Sequence, residues 1–393
     1  MVVPDLLGEP SVLRQKLPTL ERMAEMGHLF KLGPLPQVET PEALYLGMNP
    51  NQGQLRQGPL TVAALGADPP ERSTHFHLSL MSVTAGIVSP VSTPNAQRPT
   101  PLRITPEEQR QVMDLAKKLN TKTLTIVEGE GLDHGLVWEE LGDLRTTPAS
   151  QMEGERMRPH LPEGDAEVAL RRFIDDSINL LSEIEMNQQR IDEDLPPLNL
   201  LWPWGEGVRT PVPNLALRRG EPALVISSSM RLAGLTRLAG YRHCDRHEFG
   251  HGLNTRLAKI AERCLQESVA IIFIDAFAEF KSEISKIPMQ SGRNPQSAIE
   301  ESFWFARELD SALLQPLFDH ALTHSFEITL LAPVTGSPPD PPTDSSRPGL
   351  GLVFTRSSAP GMQHPEIPFD ERAFDERKLA VATLWEAVAR SLA

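Results

Sequence analysis

One unbroken apolar run constrains the fold more than any other feature of the chain. Val269–Asp275 (VAIIFID) shows no polar alternation and is bounded by polar residues on both sides. A run of this kind is typical of a strand buried on both faces of a parallel sheet. After Pro196-Pro197, strand patterns and helical patterns alternate along the chain. This alternation predicts an α/β core built around a parallel sheet.

The stretch from residue 72 to residue 195 has a different pattern. His75–Val83 alternates polar and apolar side chains as a strand does, and Thr105 and Glu108 have the spacing of a helix capping box. A long helix with one apolar stripe follows. We therefore predict a doubly wound α/β core, residues 1–71 and 196–393, interrupted by a smaller inserted α+β domain at 72–195.

Three local predictions follow from spacing and composition. Thr19–Glu25 has the pattern of a short helix, and we expect Gly27 to end it in the left-handed conformation. The range 371–392 has the apolar spacing of a terminal helix. Trp202 and Trp204, in the segment WPWGEG, are interpreted as packing residues at a corner between a strand and a turn.

The charge balance excludes several classes of partner. The formal charge is −14 and the pI is about 5.3, so the chain repels nucleic acid and anionic membranes, and neither is expected as a partner. No apolar run approaches the ~20 residues of a membrane span, and the first residues lack the pattern of a signal peptide. The two cysteines, Cys244 and Cys264, have no metal or redox spacing, which fits a cytoplasmic location.

Six segments of the chain follow a known order of motifs. They are VPDLLGEP (Val3–Pro10), LPTLERMAEMG (Leu17–Gly27), LYLGMNP (Leu44–Pro50), GPLTVAALG (Gly58–Gly66), the range Asn187–Gly207 and VISSSMRLAGLTRLAG within Leu224–Gly240. In order and spacing they resemble the archaeal-type cofactor-independent (2,3-bisphosphoglycerate-independent) phosphoglycerate mutases of the alkaline phosphatase superfamily. The resemblance extends from residue 3 to about residue 355.

This resemblance implies an alkaline-phosphatase-like core with two divalent metals (manganese, magnesium or zinc) and an inserted domain that closes over phosphoglycerate. The family's chemistry moves a phosphoryl group onto an enzyme serine and then back to the other hydroxyl of glycerate. Phosphoryl transfer depends mainly on positioning and charge neutralisation, so the metals carry the mechanism.

The first two site positions of the family are only partly retained. Asp5 matches the first metal ligand, although Leu6 replaces the glycine that follows it. Val38 occupies the position of the nucleophilic serine. Thr40 is the hydroxyl nearest to that position, and no base is evident beside it. Asp5 is therefore interpreted as a vestigial ligand and Thr40 as a weak candidate nucleophile.

The remaining metal ligands of the family have no counterpart in the aligned register. Ala278 and Ser282 replace an Asp and a His, the pair Val334-Thr335 replaces an Asp-His pair, and Asp344 stands at the last histidine. Alanine and valine side chains bind no cation. A non-standard site rebuilt from other acidic residues stays open as an alternative, and its candidates are Glu9, Asp275, Glu279 and Asp344.

A competing motif lies between residues 247 and 251. His247-Glu248-Phe249-Gly250-His251 has the form H-E-x-x-H, which on a helix places two histidines on one face for zinc, with the glutamate as general base. Leu257 stands where a metzincin has its third histidine. The motif also falls where the resembled family has a loop, and a loop would separate His247 from His251.

We predict a phosphoglycerate-mutase-fold protein that is non-catalytic and serves in binding or regulation, with no cofactor. Its partner would be a protein or a small phosphorylated ligand. Two alternatives are an active mutase or phosphatase with a rearranged two-metal site, and a zinc peptidase acting through His247, Glu248 and His251.

Overall fold

The computed structural model describes most of the chain, which divides into two compact units. Unit 1 comprises Met1–Gln52 with Pro213–Ala393, and unit 2 comprises Gly53–Val212. The described residues are 1–3, 6, 16–33, 35, 40, 42–48, 55–89, 104–152, 154–165, 167–209, 211–244, 246–277, 295–333, 349–355, 381–382 and 387. None of the helices within them is long and apolar enough to cross a bilayer.

Unit 1 begins with α1 (Pro18–Met26), β1 (His28–Leu32) and the short helix α2 (Glu42–Tyr45). Gly27 follows α1 in extended backbone, with a φ of −104°, so the prediction of a left-handed cap is wrong. Glycine is required there for a different reason. A Cβ at Gly27 would lie 2.6 Å from the carbonyl oxygen of Val353, so the close approach of two backbone segments excludes a side chain.

Unit 2 is an antiparallel sheet packed between helices. Its helices and strands are α3 (Gln57–Ala64), β2 (Thr74–Thr84), β3 (Ile87–Ser89), α4 (Pro106–Ala116), β4 (Leu124–Glu130), β5 (Asp133–Trp138), β6 (Leu144–Arg145), β7 (Glu163–Gly164), α5 (Glu167–Ser182), α6 (Glu185–Asp192) and β8 (Leu200–Gly207). β2 is central and pairs with β3, β5 and β8, while β4 pairs with β5. The capping box predicted at Thr105 and Glu108 is present at the start of α4.

The central strand β2 is buried on both faces although its sequence alternates. Phe76 and Leu78 pack in a cluster with Val112 of α4, on one face of the sheet. On the other face, His77 contacts Thr61 of α3. Polar side chains of the alternating pattern are therefore enclosed. His77 is satisfied by neighbouring side chains instead of by water, whereas Oγ of Ser82 has no hydrogen-bond partner among the described residues.

The range predicted for the inserted domain and the extent of unit 2 differ at both ends. Unit 2 also includes α3 and β8, which lie outside residues 72–195. β8 pairs along β2, and α3 packs against both strands. These contacts give the two elements a common hydrophobic environment with β2.

The remaining elements of unit 1 alternate strands and helices. They are α7 (Leu215–Arg219), β9 (Leu224–Ile226), α8 (Met230–Leu238), β10 (Arg242–Cys244), α9 (Arg246–Phe249), α10 (Leu257–Cys264), β11 (Ala270–Ile272), α11 (Pro295–Glu308), a π-helical segment (Leu309–Leu314), α12 (Gln315–Thr323), β12 (Glu327–Ala332), β13 (Gly349–Thr355) and β14 (Val381–Ala382). The terminal helix predicted over 371–392 is wrong at Val381–Ala382, which pair in parallel with β1.

Residues 1–3 join two groups of strands in unit 1. One group is the parallel set β10-β9-β11, and the other has the order β12-β13-β1-β14. Val2 forms parallel bridges to Phe273 beyond β11 and to Leu331 of β12. Backbone hydrogen bonds of 2.7–3.0 Å run on both sides of residues 1–3. The predicted α/β core is thereby confirmed; its strands pair in parallel in β10-β9-β11 and at Val2, whereas β13 pairs antiparallel with β1 and β12.

Asp310, in the π-helical segment, provides the cap that α1 lacks locally. Leu17 at the N-cap has no side-chain acceptor, and the backbone N–H groups of Leu20 and Thr19 donate instead to the carboxylate oxygens of Asp310, at 2.7 and 3.0 Å. Asp310 is only 3% exposed. A carboxylate at a helix N-terminus also interacts favourably with the helix dipole. The contact therefore ties the start of the chain to the segment around residue 310.

We predict that Asp310→Ala will destabilise α1 by about 3 kcal/mol, because two buried N–H groups lose their acceptor. Native-state hydrogen exchange of the α1 amides measures this directly, and exchange should accelerate by about two orders of magnitude. Asp319→Ala, which changes an exposed aspartate on α12, is the matched control. Equal protection of α1 in both variants would contradict the proposed capping role.

Candidate functional site

The candidate site lies in unit 1, at the carboxyl ends of the parallel strands β9 and β11. β9 and β11 pair in parallel, so the residues that follow them meet at one edge of the sheet. Ser228 follows β9, and Asp275 follows β11. In open α/β sheets this edge is where ligands bind. Ser228 and Asp275 therefore lie where a ligand of unit 1 is expected to bind.

Ser228 and Asp275 form a direct hydrogen bond. The Ser228 hydroxyl donates to Oδ2 of Asp275 across 2.5 Å. The flanking serines serve the start of α8. The N–H of Ser229 donates to Oγ of Ser227, and Oγ of Ser229 accepts from the N–H of Leu232. The bond to Ser228 occupies an oxygen that Asp275 would otherwise offer to a cation or a substrate.

The cavity beside Ser228 and Asp275 is small. Its volume is about 10 Å³, and Phe249, His251 and Thr255 also line it. This is about the space that one water molecule requires. Phe249 is buried at 1% exposure and fills much of the region beneath the sheet edge. This cavity accommodates a water molecule but no organic substrate.

Most of the residues at the family's site positions, and most candidates for a rebuilt metal site, lie outside the described residues. They are Asp5, Glu9, Val38, Ala278, Glu279, Ser282, Val334, Thr335 and Asp344. Thr40 is described and is 7% exposed, and its carbonyl accepts from the N–H of Ala43. The hydroxyl-bearing side chain of Thr40 is thus largely enclosed in the structure.

Sequence reasoning missed a second polar pair, Glu42 and Arg231. The Arg231 guanidinium lies 4.0 Å from Oε2 of Glu42. Burial raises the pKa of Glu42, and the positive charge of Arg231 opposes that effect. Glu42 begins the short helix α2, and Arg231 is the second residue of α8. The available signal was the helix start that follows strand β9, because Arg231 stands in its first turn.

The H-E-x-x-H motif does not occupy one helix. α9 ends at Phe249, Gly250 has a φ of +75°, and His251 is extended. A Cβ at Gly250 would lie 2.3 Å from the carbonyl oxygen of Asn254, so this turn requires glycine. His247 and His251 therefore lack the shared helical face that zinc binding needs. In the described ranges, no three His, Cys, Asp or Glu side chains are grouped closely enough for a metal.

The two tryptophans of WPWGEG act in packing within unit 2. Trp202 is fully buried, and its indole N–H donates to the carbonyl of Thr147 at 2.8 Å. The indole N–H of Trp204 donates to Oγ of Ser79 at 2.9 Å. The segment lies within strand β8, which extends to Gly207, and the pairing with β2 shifts register where Gly205 has a φ of +66°.

His77 is the centre of a polar chain in unit 2 that resembles a catalytic triad. Its Nε2 lies 3.0 Å from Oδ1 of Asp133, and its Nδ1 lies 2.8 Å from the hydroxyl of Thr61, to which Gln57 also donates. Thr61 is fully buried. A buried hydroxyl cannot meet a substrate, so this chain is interpreted as the structural satisfaction of polar groups beneath α3.

Burial keeps two further histidines of unit 2 neutral. His134 Nδ1 accepts from the N–H of Gly129, so its proton is on Nε2, which is buried and has no acceptor within the described structure. The Ser73 hydroxyl donates to Pro70 and accepts from His75 Nε2, which leaves Nδ1 of His75 buried without a donor. Burial lowers the pKa of each histidine to about 4.

Solved structures resemble the whole chain. The cofactor-independent phosphoglycerate mutase of Thermoplasma acidophilum matches with a TM-score of 0.59 at 16% identity, covering 99% of this chain and 97% of that one. The PH0037 protein of Pyrococcus horikoshii matches with a TM-score of 0.63 at 14% identity, covering 100% and 96%. The fold is therefore that of the cofactor-independent phosphoglycerate mutases, as the sequence predicted.

Sequence relatives agree with this fold. The 2,3-bisphosphoglycerate-independent phosphoglycerate mutase of Methanosarcina mazei is 22% identical over 383 residues, covering 93% of this chain and 90% of that protein. The enzyme of the same name from Methanothrix thermoacetophila is 26% identical over 233 residues, and there the chain spans only 57% of its relative. No protein-family profile matches the chain. Its homologues are thus archaeal-type phosphoglycerate mutases, at low identity.

We predict that unit 2 loses stability as the pH falls from about 6.5 towards 4. The folded pKa of His134 is lower than the ordinary value of 6.5, so the unfolded chain takes up its proton first. This histidine alone should cost about 2 kcal/mol between pH 6.5 and about pH 4.5. Urea unfolding of the full chain, followed by hydrogen exchange of β4 and β5 amides, measures the loss.

His134→Asn keeps an acceptor near the position of Nδ1 but removes the titrating ring. This variant should show a smaller loss of stability between the same two pH values than the natural chain. His160→Asn, at a partly exposed histidine of unit 2, is the matched control and should retain the full pH dependence. The same pH dependence in both variants would show that His134 does not carry the effect.

Proposed function

We propose that this phosphoglycerate mutase homologue has lost the two-metal phosphoryl-transfer chemistry and functions by binding, in a regulatory role. The observation that carries the proposal is the sequence register at the family's site positions. Val38 stands at the serine position, and Ala278 and Val334 stand at two aspartate positions. None of these three side chains performs nucleophilic attack or binds a cation.

The possible metal ligands among the described residues at the carboxyl ends of β9 and β11 support this proposal. A hard divalent cation needs several oxygen ligands, commonly including more than one carboxylate. The described edge offers Asp275, and one oxygen of that carboxylate already accepts from Ser228. The adjoining cavity of about 10 Å³ has no room for a phosphoglycerate. The metal pair implied by the resemblance does not fit these residues, so no reaction step is assigned to it.

The proposed ligand is a protein or a small phosphorylated molecule, and the proposed location is the cytoplasm. Two features motivate these proposals. The collinear motifs of the family are retained over most of the chain, which favours a preserved binding scaffold. The net charge of −14 disfavours nucleic acid as a partner.

An active mutase with a rearranged metal site is the second candidate. The printed names of the sequence relatives favour it, because all those described above are phosphoglycerate mutases. Asp5 and the acidic residues Glu9, Asp275, Glu279 and Asp344 would then supply the ligands. A zinc peptidase is the weaker alternative, since α9 ends between His247 and His251.

We predict that the purified chain, supplied with manganese, does not interconvert 2- and 3-phosphoglycerate above the rate without protein. The Methanosarcina mazei relative, assayed identically, calibrates the measurement. Asp5→Asn should leave the result unchanged, as should the control Asp68→Asn in unit 2. Robust interconversion that Asp5→Asn abolishes and Asp68→Asn does not would overturn the proposal in favour of the second candidate.

We further predict that the purified chain carries no stoichiometric metal, as measured by elemental analysis after dialysis. The physical reason is the absence, within the described residues, of a group of three potential ligands. Two equivalents of manganese, magnesium or zinc would support the rearranged mutase. One equivalent of zinc that is lost in His251→Ala, but kept in the control His28→Ala, would support the peptidase.

A further inference from the structure

A second pair of histidines, with the same sequence spacing as His247 and His251, lies at the end of α12. His320 is in the last turn of that helix, and His324 directly follows its last residue. The N–H of His324 donates to the carbonyl of His320 at 2.9 Å, so the last helical turn includes both residues. The left-handed Gly250 separates the first pair, whereas one helical turn contains the second.

The two imidazole rings of this second pair lie side by side. Their centroids are 4.0 Å apart and their planes differ by 11°, as expected for residues four apart on one helical face. The ring of Phe326 meets the ring of His320 edge-on, with centroids 5.4 Å apart. His320 is half-buried, whereas His324 is exposed. These contacts hold the two rings next to each other without a ligand.

Hydrogen bonds at the end of α12 determine which nitrogen of His324 carries the proton. The Thr323 hydroxyl donates to the carbonyl of His320 at 3.1 Å and accepts from the Nδ1–H of His324 at 2.8 Å. The same carbonyl lies 3.3 Å from Nδ1, and a carbonyl oxygen only accepts. The lone pair of the neutral ring is therefore on Nε2. Metal-binding histidines are oriented in the same way, because their second ring nitrogen donates to an oxygen.

The nitrogens that would bind a metal ion have no other partner. Within the described ranges, neither Nε2 of His324 nor a ring nitrogen of His320 forms a hydrogen bond. Two nitrogens bound at about 2 Å to one tetrahedral ion lie about 3.3 Å apart. Rings whose centroids are 4.0 Å apart reach that separation by a small rotation of the side chains. The pair can therefore supply two ligands, and water would complete the coordination.

We propose that His320 and His324 chelate a divalent transition-metal ion that prefers imidazole, namely copper, nickel or zinc, with copper bound most tightly. Magnesium and manganese prefer oxygen ligands and are not expected to bind here. Two imidazoles hold an ion less firmly than a site with three or four protein ligands, so dialysis removes it. The inference does not depend on whether the chain retains mutase activity, because neither histidine stands at a site position of that family.

Calorimetric titration of the full chain with zinc chloride, after treatment with a chelator, tests the proposal. We expect one ion per chain, and His324→Ala, a change at an exposed side chain, should abolish binding. Thr323→Val removes an oxygen that orients His324 and should weaken binding by about tenfold. With substoichiometric copper, electron paramagnetic resonance of the natural chain should show coupling to two imidazole nitrogens, one of which His320→Ala should remove.

His247→Ala/His251→Ala is the matched control, because it removes two histidines that have the same sequence spacing but do not share a helical turn. Zinc should bind this variant as tightly as it binds the natural chain, and circular dichroism should show every variant folded. Unchanged zinc affinity in His324→Ala, or no zinc binding by the natural chain, would overturn the proposal. Loss of binding in the control alone, or one zinc per two chains with dimers in sedimentation velocity, would also contradict it.

Discussion

The backbone pairing of residues 1–3 is the interaction on which unit 1 depends. Hydrogen bonds on both sides of Val2 connect the strand set β10-β9-β11 to β12. Without this strand, each set would expose a row of unpaired backbone groups in the centre of the core. The same pairing aligns the carboxyl ends of successive parallel strands along one edge. Ser228 and Asp275 meet at that edge because β9 and β11 pair directly.

Much of the fold could be predicted from the sequence, because the signals were local and strong. The apolar run at 269–275 and the capping box at Thr105 both form the elements expected of them. Gly27 could not be predicted correctly, since its reason is a carbonyl of Val353, far away in sequence. Likewise Val381–Ala382 form a strand because they pair with the free edge of β1. This pairing overrides the helical spacing of apolar residues in the sequence.

The candidate site was less predictable because its groups come together only in the folded chain. Ser228 and Asp275 are 47 residues apart, and neither belongs to a motif that signals their contact. The H-E-x-x-H motif shows the converse case. Its residues are close together in sequence, but the left-handed conformation of Gly250 turns the backbone between the two histidines. A spacing such as H-E-x-x-H therefore predicts a zinc site only when one helix contains the whole motif. Here α9 ends before His251.

The π-helical segment at Leu309–Leu314 has a consequence for how this chain tolerates changes of length. A π-turn accommodates one residue more than an α-turn, so removing a single residue there would let α11 and α12 merge into a regular α-helix. Each residue of an α-helix turns the chain by about 100°. Because the extra residue is taken up within the wider turn, its removal would leave Leu317 and Phe318 facing the core, whereas a deletion in the regular part of α11 would rotate them away by that angle. Homologous chains that lack one residue in this segment can therefore keep the same apolar face on α12.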